Sequence, residues 1–290
     1  MTTGRIKTKY ACRAALFFLL LATKGIAFAR AEGAPVQLPE VTFAPIEDLF
    51  YQDQYRALYE KTGLSLKSAL RTVLGSALYS KSPGLHADYS FRYPIRVEIK
   101  MIPEPTLYHG LAGTAGWRQV NGQWVHVLTL NLGAYVQNPG EDVDKLLSHE
   151  MAHIVLADFL GVEGSGVVPM WLNEGLAQSV TDEGLTRVTD LARSLGWQPS
   201  MLIPCDLDAS VDSFAHGEGN AQCYPEYYLA TKRLEQIGGP SAVGIVIRSL
   251  RDGHKMADAY HSATGADYSL FQKDVETFME NVITDRKPNP

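Results

Sequence analysis

The chain has 290 residues, 46% of them apolar and 20% charged, and its 26 Lys and Arg against 32 Asp and Glu give a formal net charge of −6. That length supports one large domain or two modest ones. The acidic balance argues against nucleic acid or an anionic lipid surface as a partner, and no internal repeat or low-complexity tract is visible.

Residues 1–29 read as a secretory signal peptide. Arg5, Lys7, Lys9 and Arg13 form a basic start, Ala14 to Ala22 a short apolar core, and Ala27-Phe28-Ala29 an A-x-A cleavage site. The run is short for a span and Lys24 interrupts it, with an uncleaved anchor as the alternative. Elsewhere no stretch is long and apolar enough to cross a bilayer. Cleavage after Ala29 removes five cations (Arg5, Lys7, Lys9, Arg13, Lys24) and no acids, leaving 21 basic against 32 acidic residues, about −11. A periplasmic or secreted location follows.

An extended leader with Pro35, Pro39 and Pro45 comes next. Apolar spacing then predicts a helix from Pro45 to Glu60, ended by Gly63, and a second from Leu66 to Tyr79, capped by Ser65. With the leader they make up residues 30–92. Tyr93 to Ile99 alternates as a strand does. Residues 103–122 are rich in glycine and end in Asn121-Gly122, the strongest short hairpin signal. That turn joins Ala115–Val120 to the best strand in the chain, Trp124 to Leu132. His126, with no matched partner near it in sequence, is expected on the strand surface.

Glu141 to Leu160 has acids at its start, apolar residues at helical spacing, and Gly161 just past its end, which predicts a helix. Within it lies His149-Glu150-Met151-Ala152-His153. Positions four apart share a helix face, so His149 and His153 aim at one point with Glu150 beside them. Two imidazoles supply two of the three protein ligands of a catalytic zinc and leave a position open for water. Pro169 then announces a second helix near Met170, reading Trp171-Leu172-Asn173-Glu174-Gly175-Leu176-Ala177-Gln178. Glu174 in its first turns completes a His-His-Glu set for one zinc ion per chain.

H-E-x-x-H followed by W-L-N-E-G-x-A resembles the gluzincin zinc metallopeptidases, in particular the peptidase MA-like group related to the M1 aminopeptidases. The resemblance covers about residues 94–282. It implies an α+β, thermolysin-like catalytic domain over residues 93–285, with a small antiparallel or mixed sheet, an edge strand before the metal helix, and a mainly helical C-terminal half. It also implies that the strand ahead of that helix takes the substrate by β-augmentation, which assigns Val127, Leu128, Thr129, Leu130 and Asn131 to substrate binding. The run Ala112-Gly113-Thr114-Ala115-Gly116 resembles the small-residue loop before that strand, without the GAMEN-type sequence of true M1 enzymes. Asn173 and Gln178 become supports of the ligand set. Related enzymes often have an acid where Gln178 stands, to orient a zinc histidine; its carbonyl can accept that N–H but brings no charge.

Leu185 to Leu195 reads as a helix ended by Gly196. His216, in the irregular segment 197–222, is a candidate substrate contact. Without Cys12, which leaves with the signal peptide, Cys205 and Cys223 remain as an even pair in an oxidising compartment, expected as a disulfide rather than two free thiols. In Cys223 to Leu234 the M1-like enzymes carry a tyrosine ten residues before a leucine such as Leu234, and its hydroxyl stabilises the oxyanion. The spacing points to Tyr224, with Tyr227 and Tyr228 as rivals. Helices over Ser241–Leu250, Met256–His261 and Tyr268–Val282 follow, and residues 286–290 form a polar, frayed tail.

The reading is a peptidase in which Glu150 moves the proton of a zinc-activated water and Tyr224 supports the oxyanion. Its partner is a peptide or protein substrate. A non-catalytic peptide-binding protein of the same fold, or a zinc hydrolase of a non-peptide bond, stands as the alternative.

Overall fold

The computed structural model describes residues 38–45, 52–76, 89–101, 113–137, 142–209 and 223–286. Residues 1–29, expected as a signal peptide, His216 and the tail beyond Arg286 lie outside these residues. Two strands open the described chain: β1 (Val41–Phe43) in the expected leader, and β2 (Ile95–Lys100). Among the described residues one helix lies between them, α1 (Gln52–Gly75), unbroken where the sequence suggests a break at Gly63. Tyr55, Leu58, Thr62, Leu66, Ala69, Leu70 and Val73 keep one buried stripe running across that glycine. The cost of an exposed helical glycine, about 1 kcal/mol, is outweighed by the continuous apolar face. Ser65 is buried within the helix and caps nothing.

The Asn121-Gly122 turn joins β3 (Gly113–Val120) to β4 (Gln123–Asn131). Both turn residues have positive φ, 51° and 80°, which suits the twist of a two-residue hairpin. The sheet is mixed, in the order β1-β2-β4-β3, with β1, β2 and β4 parallel and β3 antiparallel to β4. β4 is therefore an inner strand, bonded to β2 on one side and β3 on the other.

After the short α2 (Leu132–Gln137) comes the central helix, α3 (Val143–Ser165). Asp142 caps it by accepting from the Lys145 N–H at 3.1 Å, satisfying one of the orphan donors of the first turn. Most of its circumference is apolar and buried, because it packs against α1, β3, α4 (Met170–Thr181) and α7 (Ala242–Arg251). Gly161, at φ 83°, breaks it, and one further turn runs in a new direction. α5 (Glu183–Ser194), α6 (Tyr224–Gly238), α8 (Met256–Thr264) and α9 (Phe271–Asp285) complete the C-terminal half. The result is a mainly helical α+β arrangement around a small mixed sheet. One large core joins α1, the sheet and α3 to α4, α6 and α7, and a satellite core sits under α5, α6 and α9. Residues 52–76 thus belong to the same core as the rest and do not stand apart from it.

One polar cluster lies inside this core. His126, expected on the surface, is 1% exposed, and its Nε2 donates to Asp158 Oδ1 at 2.8 Å. Asp158, on α3, also accepts from the Tyr89 hydroxyl at 2.6 Å and from the backbone N–H groups of Arg92 and Tyr93. Burial, and next the Asp158 carboxylate, hold the Tyr89 phenol well above its ordinary pKa. The partner that sequence proximity does not reveal is thirty-two residues away. Fully satisfied, such a cluster fixes segment 89–93 and β4 to the metal helix.

Candidate metal centre

α3 carries His149 and His153 one turn apart, with ring centroids 4.9 Å from each other. α4 crosses it so that Glu174 faces both: Nε2 of His149 lies 3.4 Å from Glu174 Oε2, and Nε2 of His153 lies 3.5 Å from Glu174 Oε1. Tetrahedral ligands about 2.0–2.1 Å from a metal stand about 3.3 Å apart, so these separations are close to those of a filled shell. The ligand atoms all lie within 4.8 Å of one another. Glu174 Oε2 is buried without a hydrogen-bond partner, a costly condition unless something positive sits there. The three residues fit a metal ion; their side-chain exposures, 10–12%, leave one side open to solvent.

The electrostatics favour a cation at the same point. Burial alone would lower the pKa of His149, yet the Glu174 and Glu183 carboxylates outweigh it and push the value up to about 10. For Glu174, burial acts upward, but His153 and then His149 hold it below the usual carboxylate range. Glu183 behaves likewise, with His149 and Arg187 opposing burial. Glu150 goes the other way: burial raises it, and the two imidazoles only partly offset that. A carboxylate whose proton affinity is raised is suited to general-base work.

Support for the ligands differs in part from the sequence expectation. The Asn173 side-chain oxygen accepts from His153 Nδ1 at 2.9 Å. Gln178 meets no histidine. Its Nε2 donates to the backbone carbonyls of Glu174 and Tyr224, at 3.3 and 3.0 Å, so it ties α4 to the start of α6. The group facing His149 Nδ1 is Glu183, with Oε2 3.3 Å away. Glu183 opens α5 two residues beyond the end of α4, where Asp182 adopts φ 58° and turns the chain back toward the site. An acid nine residues past Glu174, at the start of a predicted helix, was the available signal.

β4, expected as the edge strand, is not one. Val127 to Leu130 are paired on both sides, Leu128 and Leu130 are fully buried, and Asn131 pairs with Lys100 of β2 while its side chain accepts from the Gly133 and Ala134 N–H groups. Val127 to Leu130 have no free backbone to offer. The Asn121-Gly122 hairpin folds β4 back inside β3, so the strand one hairpin earlier in sequence borders the site. A Cβ placed on Gly113 would stand 3.2 Å from Glu150 Cγ and 3.3 Å from its Oε1. β3 therefore runs directly over Glu150, and among the described residues the side of β3 away from β4 carries no strand.

Tyr224 begins α6 and is 7% exposed. Its phenol is raised by burial first and then by the charges of Glu174 and Glu150. The Arg187 guanidinium lies 5.1 Å from its ring centroid. Tyr227 is pushed up to about 12 by burial, Glu226 and Glu174, with no influence of Glu150. Tyr228 packs on α5, where a Cβ at Gly184 would overlap its ring. Gly175 allows this arrangement: a Cβ there would overlap the Thr231 hydroxyl and the Tyr227 carbonyl. The glycine of N-E-G thus lets α6 lie on α4 and brings Tyr224 to Glu174. Cys205 and Cys223 are joined in a disulfide immediately before Tyr224.

A cleft of about 230 Å³ opens beside His153, between β3 and the far half of α3. Comparison of the chain with protein-family models, with curated proteins and with solved structures finds no match.

Proposed function

We propose that the protein is a zinc-dependent peptidase of the gluzincin type, secreted or periplasmic, that hydrolyses peptide bonds. One observation carries the reading: the Nε2 atoms of His149 and His153 converge on the Glu174 carboxylate while Glu150, on the same helix, faces a glycine in β3, whose outer edge no other described strand covers. Zinc, borderline-soft and content with two imidazoles and a carboxylate, would supply polarisation of the scissile carbonyl and acidification of water at this point. An extended peptide would add to the outer edge of β3 by main-chain hydrogen bonds. Glu150 would take the proton of the attacking water and deliver it to the leaving amine. The Tyr224 hydroxyl would donate to the developing oxyanion, and its high proton affinity keeps it a donor throughout. Asn173 and Glu183 would hold the imidazoles in the tautomer that leaves Nε2 free.

The test uses purified protein. Elemental analysis should find about one zinc per chain, as for a mononuclear three-ligand site, and little in Glu174→Ala. A peptide-library digest read by mass spectrometry should give cleavage that a chelator abolishes and zinc restores. Glu150→Gln should keep the zinc and the melting temperature while kcat falls by about a hundredfold or more. Zinc binding without hydrolysis of any peptide would move the reading to a binding protein or to another bond.

A further inference from the structure

The cleft beside His153 is formed by how α3 ends. Ala157 follows His153 by four residues, on the same helix face, and its single methyl leaves a hollow where the next side chain would stand. Beyond it Gly161 turns the helix, and the last turn and its exit bring Ser165, Gly166 and Val168 round to close the far end. Trp117 of β3 forms one wall, fixed by donating from Nε1 to Ser165 Oγ at 3.0 Å and by packing on the His126 ring at 3.9 Å between centroids. Leu156 and Leu160 contribute apolar surface.

Several polar groups of the lining are already engaged. Ser165 Oγ accepts from Trp117 and donates to the Val162 carbonyl. The Asn173 oxygen accepts from His153, and His126 Nε2 donates to Asp158. No carboxylate or guanidinium lines the hollow. A charged side chain entering it would be desolvated without a partner, whereas an apolar one gains by burial. The volume, about 230 Å³, exceeds the roughly 150 Å³ that admits a benzene ring in other proteins.

We infer that this cleft receives one substrate side chain flanking the scissile bond, and that it selects bulky uncharged residues (Phe, Leu, Tyr, Met) over Asp, Glu, Lys and Arg. The inference rests on the peptidase reading and names the substrate class for that site. β3 runs from Gly113 over Glu150 to Trp117 at the cleft, so a peptide laid along its edge passes from the reacting bond to the hollow within a few residues.

Zinc-loaded protein is given a peptide library, then matched peptides differing only at the preferred position. Wild type should favour Phe over Asp or Lys there by tenfold or more in kcat/KM. Ala157→Phe fills the hollow and should lower the Phe-over-Ala ratio of kcat/KM at least tenfold, with zinc content and melting temperature retained; Ala157→Leu should lower it less. A flat profile in wild type, or a ratio that Ala157→Phe leaves unchanged, overturns the inference. A second measurement separates it from the function. Equilibrium binding of the same peptides to zinc-loaded Glu150→Gln should rank Phe above Ala above Asp. If no peptide is ever cut but this ranking holds, the peptidase reading fails and the cleft stands. If peptides are cut and the ranking is absent, the cleft assignment alone is lost.

Discussion

Replacing Glu183 by glutamine removes a charge that no metal-binding motif would have drawn attention to. Its carboxylate lies 3.3 Å from His149 Nδ1, the nitrogen turned away from the metal position. The contact meets the distance of an ion pair but not the geometry of a hydrogen bond; outer partners of a ligating histidine are worth about 1.4–2.8 kcal/mol, and every 1.4 kcal/mol is about tenfold. Loss of this contact should therefore weaken zinc about 10- to 100-fold, within the range seen when such supports are removed elsewhere. The Glu183–Arg187 pair, 3.6 Å apart and with Arg187 45% exposed, contributes little of its own. The comparison that gives the measurement its force is Asn173→Ala, which removes a neutral hydrogen bond of about 0.5–1.5 kcal/mol from His153 and should weaken zinc less. Gln178→Leu should weaken it least, because its amide serves two backbone carbonyls. Competition with a chromogenic chelator gives all three dissociation constants, with melting temperatures to exclude unfolding. Wild-type affinity in Glu183→Gln, or Gln178→Leu as the weakest binder, would refute the reasoning.

Tyr224→Phe should keep the fold and lower kcat by about a hundredfold or more with a smaller change in KM, the pattern of a lost oxyanion donor, whereas Tyr227→Phe and Tyr228→Phe stay near wild type; steady-state kinetics of the three decides. Thiol titration of unfolded, unreduced mature protein should find no free thiol, and replacing Cys205 and Cys223 by alanine should cost about 3 kcal/mol in urea unfolding, as for a loop of this length. Burial, with help from Glu276 and against the Cys205 N–H, pushes Glu226 up to about 7 from an ordinary 4.5. The unfolded chain then releases this proton first, so stability falls as pH rises from about 4.5 to about 7, by about 3 kcal/mol in all. Glu226→Gln should flatten that slope in urea titrations run across the same pH range.

What was legible in the sequence follows the range over which each signal acts. His149, Glu150 and His153 are fixed by one helical period, and Glu174 by a glycine-bearing motif on the next helix, so the His149, His153 and Glu174 group that could hold a metal ion could be read directly. Helix ends marked by Asp142, Pro169, Gly161 and Gly196 were also local matters, as was the Asn121-Gly122 turn. Errors arose where a distant partner decides. Gly63 looks like a stop until the stripe from Tyr55 to Val73 is seen packed on α3. His126 looks like a surface residue because Asp158 and Tyr89 come to it from elsewhere. β4 looks like an edge strand until β3 is seen paired outside it, since strand order in a sheet is a tertiary fact that alternation cannot report. Glu183 escaped for a related reason: the left-handed turn at Asp182, which aims it at His149, has no strong signature in Thr181-Asp182-Glu183.

The open edge of β3 has a second side to it. A strand whose outer N–H and C=O groups are available to a substrate is equally available to the same strand of another molecule, the usual route to edge-to-edge aggregation. Gly113 and Gly116 give this edge little of the packing that stabilises strand pairs. The residues that make the edge weak as a strand let it stay accessible without becoming a seed for its own assembly.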